Sequence, residues 1–227
     1  MRLLAFESSC ERASVALVLE GEARVRWLEG SANHSEGMLA AVRALLADAN
    51  LGLGALDALA FGAGPGAFTG LRLACGVAQG LALGAGLGVI PVCSLEALAA
   101  RSPWPCALVA MDARMGEIYH GRYRVENGRA LELAAPACCA PGSLPLPEGQ
   151  WFGLGSAFAA YEAELARARA VLSGCDPQAV PDAGAVARQA ALRGRAGIVS
   201  AERAVPLYVR DKVAFTMAER LARGNKA

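Results

Sequence analysis

Two short strings recur in this chain in the same order. Leu3-Leu4-Ala5-Phe6-Glu7 is matched by Leu108-Val109-Ala110-Met111-Asp112, four apolar residues and then an acid in each case. Phe61-Gly62-Ala63-Gly64-Pro65-Gly66-Ala67-Phe68 is echoed by Phe152-Gly153-Leu154-Gly155-Ser156-Ala157-Phe158. Each first string leads into a candidate hairpin, turning at Glu20-Gly21 and at Asn127-Gly128, and each second string precedes a helix-like segment. An ordered repeat of this kind predicts a unit built twice. Its boundary is expected in the Pro-containing stretch Arg101 to Pro105, which gives domains at 1–103 and 104–227.

Within the first unit the apolar periods predict the elements. Residues 2–6, Ala13 to Leu19 and Ala23 to Leu28 read as three strands, the last two joined by a turn at Glu20-Gly21-Glu22. Asn33 with Glu36 three residues on reads as a capping box. The helix it opens carries Met38, Leu39, Val42, Leu45, Leu46 and Ala49 on one face. A fourth strand is expected over Leu56 to Phe61, then a glycine-rich loop, a second helix and a strand at Val89 to Val92. Antiparallel strands followed by alternating helices and strands imply an α/β fold with mixed sheets flanked by helices. In the second unit the four-proline stretch Pro136 to Gly149 is expected to break the strand pattern.

Composition removes several classes. Of 227 residues 55% are hydrophobic, but fifty are alanine. Leu73 to Leu95 is 23 residues without a charge, long enough for a hydrocarbon layer of ~30 Å. Its five glycines, Gln79, Pro91 and Ser94 divide it into a helix, a turn and a buried strand. The apolar run Leu3 to Phe6 is too short for a signal peptide, so the expectation is a cytoplasmic protein with no membrane contact. Seven cysteines with no C-x-x-C spacing, and only His34 and His120, make neither a disulfide framework nor a zinc ribbon. The net charge of +1 argues against a strongly basic nucleic-acid binder. Residues 188–227 hold nine Lys/Arg against three acids, which is either a surface for RNA or a solvated face.

Each half would bring a strand-terminal acid, Glu7 or Asp112, and a Gly-rich loop to one cleft. Glycine there lets backbone N–H groups approach a phosphate at a helix N-terminus. Glu7, Ser8, Ser9, Gly64, Gly66, Thr69 and Asp112 are the candidate nucleotide or phosphate residues, with Glu7 and Asp112 able to hold a metal ion or water. The alternative is that these loops are tight turns that need glycine. No Lys follows the loop, so it is not a Walker motif. Gly76, Gly80 and Gly84 form a stripe on the second helix, costing up to ~1 kcal/mol each relative to Ala. The stripe points to close approach by a backbone, either this chain's own sheet or a helix of another subunit.

These strings, taken with others, resemble a known family. Glu7-Ser8-Ser9, His34-Ser35-Glu36, the run Gly64-Pro65-Gly66-Ala67-Phe68-Thr69-Gly70-Leu71-Arg72, Ser94-Leu95-Glu96-Ala97-Leu98-Ala99, Asp112-Ala113-Arg114 and Pro206-Leu207-Tyr208-Val209-Arg210 occur in the order seen in the TsaB (YeaZ) family. The resemblance implies duplicated ribonuclease H-like domains of the actin, Hsp70 and sugar-kinase (ASKHA) superfamily. It implies a non-catalytic subunit that binds the paralogue TsaD and works with the ATPase TsaE. Threonylcarbamoyl then passes to the adenosine following the anticodon in tRNA, which this subunit meets only through the complex. Where TsaD carries its H-x-x-x-H metal motif, this chain has Ser94 and Leu98, so no metal site is expected. One departure is Phe6-Glu7-Ser8-Ser9-Cys10, which is closer to TsaD's E-T-S-C than to the D-T-S usual in TsaB.

In this family the first two helices make the partner contact and also self-associate. Met38, Leu39, Val42, Leu45, Leu46, Gly70, Ala74 and Val77 are therefore the expected interface residues, with a homodimer when the chain is alone. No cofactor is required, and ATP or ADP could sit at a junction shared with TsaD. The competing readings are an ATP-using or peptidase-like enzyme in its own right, and direct RNA binding by the basic C-terminal region.

Overall fold

The computed structural model describes residues 1–28 and 34–210. The expected capping residue Asn33 lies outside them, as do Lys212, Arg220, Arg223 and Lys226 of the basic C-terminal region. Strands β1 (Leu3–Glu7), β2 (Ser14–Leu19), β3 (Glu22–Trp27), β4 (Ala58–Gly64) and β5 (Val89–Cys93) form one sheet in the order β3-β2-β1-β4-β5. The first three are antiparallel, while β4 and β5 run parallel to β1. Strands β6 (Cys106–Asp112), β7 (Ile118–Glu126), β8 (Arg129–Cys139), β9 (Phe152–Leu154) and β10 (Gly174–Asp176) repeat that order and those directions. The fold is the duplicated ribonuclease H-like α/β unit of the ASKHA superfamily.

Both hairpins turn where the sequence indicates. Glu20 and Gly21 lie at φ 53° and 89°, Asn127 and Gly128 at 51° and 77°, the paired left-handed residues of a turn whose twist matches its strands. The stretch Pro136 to Gly149 departs from expectation only at its start: 140–149 hold no strand, while residues 136–139 continue β8 past a shift of register between His120 and Arg122. Strand β8 is an edge strand, where a proline costs no ladder hydrogen bond on the open side.

Strand β1 is buried along its whole length, and its period of two divides it between two cores. Leu4 and Phe6 face α1 (His34–Asp48) and α2 (Phe68–Ala85). Leu3 and Ala5 face α6 (Ala183–Arg193), whose Ala183, Ala185, Val186, Ala187 and Ala190 cover the opposite side of the sheet. Asp182 caps α6, accepting the Ala185 N–H at 2.8 Å. Helix α2 passes the length and composition test for a membrane span. Here its Leu71, Ala74, Cys75, Ala78 and Ala82 stripe packs on the sheet, and Gly86 at φ 66° ends it before β5.

A cut at 103 separates the two sheets but not the two cores. Helix α3 (Ser94–Ala99) follows the first sheet, yet its Leu95, Leu98 and Ala99 enter the core of the second, beside Val109, Met111 and Tyr123. Helix α6 follows the second sheet and covers the first. Each half therefore lends the other a helix. The short helices α4 (Ala157–Ala160) and α5 (Ala166–Val171) cover the remaining face of the second sheet, with Phe158, Leu165 and Ala168 against Leu108 and Ala110.

A fragment ending at residue 103 should therefore fail to give the far-UV circular dichroism of a folded α/β domain, because one face of its sheet is bare. In the full chain, Val186→Ala should cost about 2 kcal/mol in chemical denaturation for two buried methylenes.

Candidate functional site

The C-terminal ends of β1, β4 and β5 meet at one point. Glu7, the last residue of β1, is fully buried; its Oε1 accepts the Ser9 N–H at 2.6 Å and its Oε2 accepts the Ser94 hydroxyl at 2.8 Å. Ser94 Oγ in turn accepts the Gly64 N–H at 3.3 Å. A Cβ on Gly62 would stand 1.9 Å from Glu7 Oε2, so this longer acid fits only because glycine faces it.

The segment after β1 presses equally hard on the glycine loop. A Cβ on Gly66 would lie 2.4 Å from the Ser9 carbonyl oxygen, and one on Gly70 only 1.8 Å from that of Ser8. The Ser9 carbonyl accepts the Ala67 N–H at 2.7 Å, and the Ser8 hydroxyl donates to Gly70 O at 2.8 Å. The second half repeats the arrangement, where a Cβ on Gly155 would fall 2.3 Å from Ala110 O. In both loops the space that glycine opens is filled by the chain's own backbone. The glycines of both loops are therefore required by packing, and Thr69 is exposed.

Asp112 ends β6 on the facing wall. Its Oδ1 accepts the Arg114 N–H at 2.8 Å and the Tyr161 hydroxyl at 2.9 Å, and its own N–H donates to Ser156 Oγ at 3.1 Å. The Arg114 guanidinium lies 3.4 Å from Asp112 Oδ2 and also pairs with Glu11. Between the walls is a cleft of about 350 Å³ lined by residues including Ser9, Gly66, Phe68, Asp112, Met115 and Tyr208. The structure brings Glu7, Ser8, Ser9, Gly64 and Gly66 together and sets Asp112 on the opposite wall. Tyr161, the partner of Asp112, stands in no motif and carried no signal.

Ser94 is buried within the Glu7 network and Leu98 in the core of the second sheet, so both serve internal packing. Among the described residues no three His, Cys, Asp or Glu side chains cluster as metal ligands. Of the basic residues described in 188–210, Arg193 pairs with Glu96, Arg195 with Asp57 and Arg210 with Glu117. Among the described residues Arg188 and Arg203 of that stretch stand in no ion pair, and Arg195 remains 84% exposed.

The interface expectation needs correction. Met38, Val42, Leu45, Leu46 and Ala74 are buried against the chain's own sheet, and Gly70 and Val77 are only partly exposed. Leu39 alone of that set faces out, at 40% exposure. The outward surface of the two helices is instead Leu39, Ala40, Arg43 and Ala47 on α1 with Arg72, Gly76, Gly80, Leu83 and Gly84 on α2. The glycine stripe has no described residue within 4 Å of any added Cβ, which removes the chain's own sheet as its neighbour.

Comparison with known proteins assigns the class first. The family described as TsaD, tRNA N6-adenosine threonylcarbamoyltransferase, matches residues 29–217. The Escherichia coli K12 protein named tRNA threonylcarbamoyladenosine biosynthesis protein TsaB is 34% identical over 95% of this chain and 97% of its own length. Its Haemophilus influenzae namesake is 37% identical over 71% of this chain and 74% of its own. The solved structure of YeaZ from Pseudomonas aeruginosa aligns with a TM-score of 0.82 at 35% identity, covering 91% of this chain and 99% of that one. Another Pseudomonas aeruginosa structure, described as similar to peptidase YEAZ, aligns at 0.83 with 34% identity over 92% and 99%. The chain belongs to the TsaB family of tRNA threonylcarbamoyladenosine biosynthesis proteins.

Two measurements probe the site. Gly70→Ala should lose about 3 kcal/mol, since backbone must move, whereas Gly80→Ala should gain up to ~1 kcal/mol in the isolated chain. Denaturant titration of both variants reads the contrast. Burial, the largest cause, holds the Glu7 carboxyl above its ordinary 4.5 against the opposing bonds from Ser9 and Ser94. Its contribution is then full below 4.5 and is lost as pH rises through the raised folded value. Wild type should lose stability as pH rises above 4.5 relative to Glu7→Gln, which cannot ionise.

Proposed function

We propose that this chain is a non-catalytic scaffold subunit that binds TsaD, working with TsaE, during threonylcarbamoyl transfer to tRNA. The observation that carries this reading is the outward face of α2. Three glycines at intervals of four cost helix stability where none of the described residues packs, and Leu83 beside them is 61% exposed. Such a groove accepts a close-packed helix from another polypeptide. The same face on a second copy would give the homodimer expected of the isolated chain. Leu39 on α1 extends the apolar surface beside it.

The absence of independent catalysis is supported by how the strand-end groups are used. Glu7 is closed off by Ser9, Ser94 and Gly62, and Asp112 is occupied by Arg114 and Tyr161. Where the assembly uses ATP or ADP, the nucleotide would lie outside this chain's own glycine loops, at a junction with TsaD. Contact with tRNA would come through the complex.

Reconstitution tests the proposal. With TsaD, TsaE, the threonylcarbamoyl-adenylate synthase, ATP, threonine, bicarbonate and tRNA, omission of this chain should abolish modification, and the chain alone should turn over neither ATP nor peptide. Leu83→Arg or Gly80→Leu should weaken the TsaD heterodimer at least ~30-fold, by analogy with a central interface residue. Leu192→Arg, on the opposite side of the sheet, should leave it unchanged. Unaltered co-elution of Leu83→Arg with TsaD would remove the assigned face.

A further inference from the structure

The closing string Pro206-Leu207-Tyr208-Val209-Arg210 has no role in the scaffold reading, yet it touches both halves of the molecule. Beyond α6 the chain first bridges to β5, where Val89 and Val199 exchange two backbone hydrogen bonds of 2.9 Å. It then follows α2. Gln79 Nε2 donates to Ala201 O at 3.0 Å and to Ala204 O at 2.9 Å, and the Cys75 thiol donates to Ala204 O at 3.3 Å. The Leu207 N–H donates to Ala63 O near the end of β4 at 2.7 Å.

Tyr208 comes next, at the first turn of α2. Its ring lies 5.6 Å from that of Phe68, and its hydroxyl accepts Arg72 Nε at 3.2 Å. The Arg72 guanidinium sits 3.8 Å over the Phe68 ring and completes the cluster. Two residues later the chain has crossed to the second half. Arg210 pairs with Glu117 and donates to Ala113 O at 3.3 Å and Arg114 O at 3.5 Å, in the turn after β6. Its side chain is only 13% exposed.

We propose that residues 204–210 are a strap across the mouth of the cleft, tying the first turn of α2 to the turn after β6 and fixing the angle between the halves. The exchanged helices α3 and α6 join the halves in the core. Among the described residues a second charged tie across the mouth, Arg114 with Glu11, is more than 60% exposed on both sides and is worth little in water. Arg210 is mostly buried and makes three contacts, so it is the stronger of the two. Because Tyr208 and Ala204 hold α2 from the strap, the posture of the partner face depends on an ion pair in the opposite half. This coupling deepens the scaffold proposal and rests on it only where TsaD binding is the readout.

The test is charge reversal in the full chain, read by hydrogen exchange. Arg210→Glu and Glu117→Arg should each raise exchange of the Leu207 amide and of residues 111–117 about tenfold, with far-UV circular dichroism unchanged. The double variant, with the pair restored in reverse, should recover most of that protection. Tyr208→Ala, which removes a half-exposed ring and leaves the core intact, should loosen the Leu207 amide similarly and serves if a charge variant misfolds. Arg210→Glu should also bind TsaD about tenfold more weakly, and the double variant should regain it. Single variants exchanging within about twofold of wild type, or a double variant no better protected than the singles, would overturn the strap. If exchange responds but TsaD binding does not, the strap stands and its coupling to the partner face is refuted.

Discussion

The structure depends on an exchange of helices between its two halves. A sheet whose central strands are apolar on both faces must be covered on both faces. The first sheet takes α1 and α2 on one side from its own segment, and on the other side it takes α6 from the end of the chain. The second sheet takes α3 in return. Neither half can bury its core without the other, so the duplicated unit is cooperative rather than two beads on a string. Leu98 shows what the exchange gains. It is a fully buried leucine in the joint between the halves.

Glycine serves two opposed purposes within a single stretch of sequence. Gly62, Gly66 and Gly70 are required because Glu7, Ser9 and Ser8 occupy the space where side chains would project. Gly76, Gly80 and Gly84, a few residues on, meet none of the described residues. The first set lets the strand ends and the glycine loop pack closely. The second set costs helix propensity in the isolated chain, and only an external contact offsets that cost. Closing the strand ends inward while leaving a helix face open fits a protein that acts by contact.

Much of the fold was legible because local rules and the global fold agree. The hairpins at Glu20-Gly21 and Asn127-Gly128 are written in residues that tolerate positive φ, and the split of β1 between two cores follows from its period of two. The candidate site was legible as a meeting of strand ends, since both acids directly follow an apolar run. What did not show was occupancy. Nothing in the sequence says that Ser94 would reach Glu7, that Tyr161 would reach Asp112, or that Arg210 would cross to Glu117. These pairs are separated by 87, 49 and 93 residues.

The amphipathic pattern of α1 marked Met38, Val42, Leu45 and Leu46 as one face, and that much is intrinsic to a period of 3.6 residues. Whether the face met a partner or the chain's own sheet was decided by tertiary packing, which buried all four and left Leu39 outside. Likewise the glycine stripe on α2 was visible as spacing, but its exposure followed from which side of that helix the sheet took. Sequence by itself determined the elements, their twofold repetition and the family. Only the folded chain decided which faces remain free, because a free face is defined by what the rest of the molecule has already covered.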